Sequence, residues 1–154
     1  MSDIVSNSKA RRDYHILEVI EAGICLRGTE IKSLRDGRAQ INDAFARVDN
    51  GEVYLYNAHI DEYSKGSWTN HDPKAPRKLL LNKSEIRKLQ GFLSQKGNAL
   101  IPLSLYWKNR KVKVALALAK GKVEYDKRED IRERETERML RRVTMHKFKH
   151  NERQ

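Results

Sequence analysis

The sequence predicts a mainly β domain with a few short helices, followed by a charged tail. Three observations carry this. Two pairs of short, strand-like runs flank turn-forming residues, only two stretches before residue 122 give helical signals, and beyond Gly121 large apolar residues become scarce. At 154 residues the chain has room for one domain and an extension.

Residues 1–12 are basic and read as a flexible arm. Residues 14–26 are rich in β-branched and apolar side chains and read as strand. Gly28 breaks that run, and Thr29 and Glu30 open a short helix through Leu34 that Asp36-Gly37 ends. Residues 44–48 and 53–60 flank Asp49-Asn50-Gly51-Glu52, where Asn-Gly accepts the positive φ of a tight hairpin turn. Residues 61–77 show no periodicity; a loop this long inside a compact domain is usually functional or mobile. Asn82 or Ser84 caps a helix that Gly97 stops, with Ile86, Leu89 and Leu93 at helical spacing. Residues 99–107 and 111–119 form a second hairpin around Lys108-Asn109-Arg110. Ile101, Leu103, Leu105 and Trp107 alternate onto one face of its first strand, and Val112, Val114, Leu116 and Leu118 onto one face of its second. Pro102 has no N–H for the ladder, so its strand is expected at an edge or bulged there. There is no internal repeat. Several short strands with few helices favour an OB-like closed β-barrel over residues 13–122, with short flanking helices.

Residues 123–154 form a basic C-terminal tail. Within 126–142 the only large apolar groups are Ile131, Met139 and Leu140. Asp130 with Arg134 and Glu137 with Arg141 have favourable i,i+4 spacing, each pair contributing only ~0.2–0.5 kcal/mol. The tail is therefore expected to be disordered alone and helical on a partner.

A formal net charge of +11 draws polyanions, either nucleic acid or an anionic membrane surface. Hydrophobic residues, at 38%, suffice for one modest core. No apolar run approaches the ~20 residues of a spanning helix. The N-terminal residues contain no apolar stretch of secretory-signal type. Cys25 is the only cysteine, which excludes an internal disulfide and fits a reducing compartment. A cytoplasmic location without membrane association is the expectation.

Lys111 and Lys113 share a strand face with Ala115, Ala117 and Ala119, whose small side chains would let a partner approach the backbone; Lys120 and Lys122 extend the positive track. The competing reading is a face covered by another segment of the same chain. Glu21 repels phosphate yet can accept hydrogen bonds from exposed base edges or a 2′-OH. On the residues alone, an ordinary strand-end glutamate paired with a lysine is the favoured reading. Tyr63, Trp68 and His71 in the long loop could stack on unpaired bases, or Trp68 could pin the loop to the domain. His59, His71, Asp72, Asp43 and Glu30 could assemble an acid–base site, but their spacing does not require one, and no phosphate-binding loop, Gly-x-Ser-x-Gly or paired CxxC motif is present. His146 and His150 stand at i,i+4 without the glutamate of a His-Glu-x-x-His motif, so no metal or other cofactor is expected.

The runs Asn7-Ser8-Lys9-Ala10, Glu21-Ala22-Gly23, Gly28-Thr29-Glu30-Ile31-Lys32-Ser33-Leu34-Arg35, Arg77-Lys78-Leu79-Leu80-Leu81, Leu105-Tyr106 and Ala119-Lys120-Gly121-Lys122 resemble, in order and spacing, the small protein B family, the SsrA-binding proteins. Tyr125-Asp126-Lys127-Arg128-Glu129 followed by Ile131-Arg132-Glu133-Arg134-Glu135 is similar to that family's tail signature. The resemblance covers essentially the whole chain. It implies an OB-type barrel that binds the tRNA-like domain of transfer-messenger RNA, lying where the anticodon arm of a tRNA would be. It further implies a tail that enters the decoding centre and the empty mRNA channel of a stalled ribosome. The partners implied are transfer-messenger RNA, the small-subunit RNA of the ribosome and, through the shared RNA, elongation factor Tu. No enzymatic activity is implied. Glu21, Leu80 and Lys113 match the family's RNA-binding positions, and Lys9, Lys111, Lys120 and Lys122 join them as further cations. Asp126, Lys127 and Arg128 match decoding-centre positions, with Tyr125 able to stack on a ribosomal base and Arg132 and Arg134 following into the channel. Thr136 stands where many relatives have an aromatic residue, which removes any anchoring by that ring. The alternatives are a general OB-fold RNA-binding or ribosomal protein without transfer-messenger RNA specificity, and an RNA-modifying enzyme.

Overall fold

The computed structural model describes residues 2–64 and 70–122. Its elements are β1 (Ser2–Ser6), α1 (Ala10–Asp13), β2 (Tyr14–Ile24), α2 (Gly28–Arg35), β3 (Ala39–Gln40), β4 (Phe45–Asp49), β5 (Glu52–Tyr56), β6 (His59–Ile60), β7 (Arg77–Leu80), α3 (Lys83–Leu93), β8 (Asn98–Lys108) and β9 (Lys111–Gly121). The fold is mainly β with a few helices, as the alternating runs predict. Residues 1–121 cluster as one compact unit. Seven strands pair in the order β1-β8-β4-β5-β7-β2-β9, and β9 also pairs with β8. Strands β3 and β6 form a separate two-stranded sheet. No helix among the described residues is long and apolar enough to cross a membrane.

Both hairpins turn through two residues. Asp49 pairs with Glu52 around Asn50 (φ 53°) and Gly51 (φ 77°). Lys108 pairs with Lys111 around Asn109 (φ 52°) and Arg110 (φ 66°). Positive φ at both central positions matches the right-handed twist of the flanking strands. Helix α3 begins after Asn82, the first of the two candidate caps, whose N–H donates to Glu85 Oε1 at 3.0 Å. Ile86 and Leu89 of α3 are buried, and Leu93 packs against the same core. That core is built around Leu34, Ile41, Leu55, Leu79, Leu100, Leu105, Val114 and Leu116, all essentially inaccessible.

Pro102 sits at a bulge: Pro102 pairs with Leu116 but Ser104 with Ala115, so Leu103 is the extra residue. A one-residue slip exchanges the two faces of a strand. The expected single face of Ile101, Leu103, Leu105 and Trp107 is therefore split. Leu105 and Trp107 meet the main core, while Ile101 and Leu103 join Ala10 and Ala119 in a second, smaller cluster. On β9 the alternation is unbroken, and Val112, Val114, Leu116 and Leu118 all enter the main core.

Three other expectations need correction. The first twelve residues are not a flexible arm: β1 lies along β8, with Ser2 opposite Trp107 and Ser6 opposite Ser104, and Ala10 of α1 is buried. Ile4 and Val5 pack on the core, and Asn7 Nδ2 donates to the carbonyls of Ile41 (3.2 Å) and Pro102 (3.0 Å). The apparent strand over 53–60 breaks at Asn57 (φ 62°) into β5 and β6. The loop assigned to 61–77 ends in β7, which pairs with both β5 and β2.

The described residues at the two ends of that loop are held by buried polar groups. Arg77 and Glu30 are each only 3% exposed. Arg77 Nε donates to Glu30 Oε2 at 2.5 Å, Nη1 to the Ala58 carbonyl at 2.8 Å and Nη2 to the Pro73 carbonyl at 3.0 Å. The other Glu30 oxygen accepts the Arg27 N–H at 2.7 Å. His71 is also buried; its Nε2 donates to the Ile60 carbonyl at 2.9 Å, and its Nδ1 lies 2.8 Å from the Thr29 hydroxyl.

Candidate nucleic-acid interface

The β2–β9–β8 register brings distant residues onto one outer face. Glu21 stands opposite Ala115, and Gly23 opposite Lys113. Across β9, Lys113 faces Tyr106 and Lys111 faces Lys108. Gly23 also pairs with Leu80 of β7. A Cβ at position 23 would lie 3.2 Å from the Leu80 Cβ, so glycine there permits the close approach. Glu21, Leu80 and Lys113, the positions that the family resemblance implies, thus lie together near the ends of three strands.

Glu21 is not an isolated carboxylate. The Tyr106 hydroxyl donates to Oε2 at 2.5 Å, and Lys108 Nζ donates to both oxygens at 3.2 Å. The Tyr106 hydrogen bond, then that of Lys108, holds the Glu21 pKa below the ordinary 4.5, with Lys113 adding attraction. Burial, reinforced by the hydrogen bond to Glu21, pushes the Tyr106 phenol up to about 12. At neutral pH the pair is therefore an ionised acceptor held by a protonated donor. The lone pairs left on the carboxylate can accept from base N–H groups or a 2′-OH. Lys108 offsets part of the repulsion that the carboxylate would exert on phosphate. Tyr106→Phe should raise the Glu21 pKa toward its ordinary value, so that ionisation is lost at a higher pH as the solution is acidified. A carboxylate-resolved NMR titration reads this directly; an unchanged midpoint would show that the phenol does not hold the charge.

Beside this cluster lies a groove of about 390 Å³ whose lining includes Arg35, Leu80, Trp107, Arg110, Lys111 and Lys113. Among the described residues no carboxylate lines it. Leu80, which lines it, is 51% exposed and offers a partner an apolar surface among the cations.

The other sequence candidates separate from this site. Lys120 is an odd number of residues from Lys111 and Lys113 on an unbroken strand, which places it on the opposite face. It also lies ~23 Å along β9 from Lys113, at ~3.3 Å per residue. The positive track is therefore not continuous. Ala117 and Ala119 on the lysine face are fully buried, Ala119 in the small cluster with Ala10 and Ile101, so part of that face is covered by the chain itself. Lys122 follows the end of β9. Lys9 forms an ion pair with Asp43 at 3.3 Å and lines a different cavity of about 440 Å³, which shares no residue with the groove.

Tyr63 is bracketed by Asn70 hydrogen bonds (3.1 and 2.9 Å) and lies under Lys32, and buried His71 offers no ring face to a base. Glu30 and His71 are engaged in the pinning network. Asp43 and His59 line one depression with Gln40, Asn57 and Lys74, but Asp43 pairs with Lys9 and His59 Nε2 with Asp61 at 2.9 Å. Among the described residues no group of three His, Cys, Asp or Glu is placed to hold a metal ion. Trp68, the tail residues Tyr125, Asp126, Lys127, Arg128, Arg132, Arg134 and Thr136, and the pair His146 and His150 lie outside the described residues.

Sequence reading missed Tyr106, Lys108, Arg35 and Arg110 as members of this surface. A two-residue turn at 109–110 would have put Tyr106 opposite Lys113 by counting back along the hairpin. Nothing local could bring Glu21 to the same place.

The chain is similar to known proteins in both sequence and fold. The family model described as SmpB protein matches residues 4–146. An SsrA-binding protein of Thermobifida fusca is 56% identical over 140 residues, covering 91% of this chain and 88% of the relative. An SsrA-binding protein of Halothermothrix orenii is 57% identical, covering 91% and 90%. A chain from a solved structure described as "tmRNA-SmpB: a journey to the center of the bacterial ribosome" is similar at a TM-score of 0.67 and 50% identity, covering 82% of this chain and 93% of that one. On its sequence and on its fold, the chain belongs to the SmpB protein family.

Proposed function

We propose that this protein binds the tRNA-like domain of transfer-messenger RNA and delivers it to stalled ribosomes for trans-translation. In this reading the strand pairings from β8 through β4, β5, β7, β2 and β9 back to β8 make an OB-type barrel, the RNA-binding body. Residues 123–154 act on the ribosome, with Tyr125 to Arg128 in the decoding centre and Arg132 and Arg134 in the mRNA channel. Elongation factor Tu joins through the shared RNA, and the setting is cytoplasmic. The protein contributes binding and placement, without a chemical step of its own. The observation that carries the reading is the convergence of Glu21, Leu80 and Lys113 on one outer face, beside a groove that, among the described residues, four cations and no carboxylate line. Such a face suits an RNA that presents phosphates and an unpaired base edge together.

A competition titration tests it. The protein should prefer the tRNA-like domain over an elongator tRNA at physiological salt, with affinity falling by roughly 0.7–0.9 log units per log unit of salt for each phosphate neutralised. Lys113→Ala should weaken binding and flatten that slope; Glu21→Gln should weaken binding and leave the slope unchanged. Equal affinity for the two RNAs would favour a general RNA-binding module, and tighter binding by Glu21→Gln would remove the carboxylate from the site.

A further inference from the structure

We infer that Arg110, at the tip of the β8–β9 hairpin, contacts a backbone phosphate of the tRNA-like domain at the mouth of the groove, although the turn is strained by it. The inference rests on reading the groove as an RNA site.

The chain supplies its own comparison. Its two hairpins have the same two-residue turn with both φ angles positive. The first fills the turn with Asn50-Gly51, the pair best suited to that backbone. The second has Asn109-Arg110, with Arg110 at φ 66°. Left-handed backbone brings a Cβ too close to the neighbouring carbonyl. Asparagine tolerates this through its short polar side chain and glycine has no Cβ, but arginine has neither relief. The needs of the turn therefore do not explain Arg110, and strain of this kind concentrates at functional positions.

Its side chain supplies the explanation. Arg110 lines the groove together with Arg35, Lys111 and Lys113. Among the described residues, no ion pair engages Arg110, Arg35 or Lys111. Four cations gathered with no lining carboxylate among the described residues repel one another and suit an anion. A guanidinium offers two parallel donors matched to a phosphate. Leu80 at the same mouth gives the adjoining ribose or base an apolar surface, and Glu21 across the face accepts from its polar edge. The occupant is an RNA strand turning at an unpaired nucleotide, its phosphate on the hairpin tip.

Arg110→Gly separates this from an ordinary solvated arginine, because the two effects have opposite signs. Its melting temperature should equal or exceed that of the unsubstituted protein, since the turn is relieved. Its affinity for the transcribed tRNA-like domain should fall about tenfold, and the salt slope should drop by roughly 0.7–0.9. Arg110→Gln retains the long side chain and the backbone demand while losing only the charge, so it should show the same loss should the glycine variant fold poorly. Unchanged affinity and slope in either folded variant would overturn the inference, as would a loss independent of salt. Failure of the broader reading looks different: the unsubstituted protein would then bind tRNA and the tRNA-like domain equally.

Discussion

Arg77→Met should destabilise the protein by about 3–5 kcal/mol, a large part of the ~5–15 kcal/mol that holds a domain of this kind together. The substitution leaves the Glu30 side chain, only 3% exposed, without its partner and the Ala58 carbonyl without its guanidinium donor, while the Pro73 carbonyl keeps the Ile60 N–H at 3.0 Å. Urea unfolding followed by circular dichroism measures the loss. Glu30→Met added to Arg77→Met should recover part of it, because an apolar pair escapes the desolvation penalty. Recovery should be incomplete, since the Ala58 carbonyl remains without its guanidinium donor. A loss below ~1 kcal/mol for Arg77→Met alone would mean that the segment from Ala58 to Pro73 is held by something other than this pair.

Deletion after Tyr125 should leave the stability of the folded domain and RNA binding nearly unchanged and abolish tagging on stalled ribosomes. The proposed division of labour predicts this from composition. Residues 126–142 alternate charges and offer almost no apolar stripe. Ordering them costs ~1–2 kcal/mol of backbone entropy per residue, which a few exposed ion pairs cannot offset. Dense ribosomal phosphate facing Arg132, Arg134, Arg138, Arg141 and Arg142 can. Alanine at Asp126, Lys127 and Arg128 together should give the same separation. Parallel gel-shift and in vitro tagging assays make the comparison; lost RNA binding from a still-folded protein would place the tail in the RNA site.

Where the signals were local, the sequence was legible. Asn50-Gly51 marked one hairpin, the alternation from Val112 to Leu118 marked the core face of β9, and Asn82 with Ile86 and Leu89 marked α3. What stayed hidden depended on partners far away in sequence. Strand β1 carries too few apolar residues to declare itself, and becomes a strand because β8 offers an edge. Strand β7 is four residues long and borrows its pairing from β5 and β2. The bulge at Pro102 was foreseeable, but its consequence for Ile101 and Leu103 was not, because pattern reading assumes an unbroken period. Among candidate site residues, Lys111, Lys113, Glu21 and Leu80 converge, whereas Lys9 and Lys120 were grouped with them by charge alone. Charge says what class of partner is attracted; only register says which charges act together.

The pairing of β1 with β8 also constrains when the domain can finish folding. Ser2 meets Trp107, and Tyr14 meets Gly121. During synthesis at ~5–20 residues per second, the first strand leaves the ribosome roughly 5–20 s before its partner exists. Closure of so long a loop delays the last pairings further. Until β8 and β9 emerge, β2 has no partner along most of its length, and its exposed Leu17 and Val19 sit on an open edge that other nascent chains could join. Translation halted anywhere before residue 121 therefore leaves an incomplete sheet with an aggregation-prone edge, so this protein's own yield depends on uninterrupted elongation through β9.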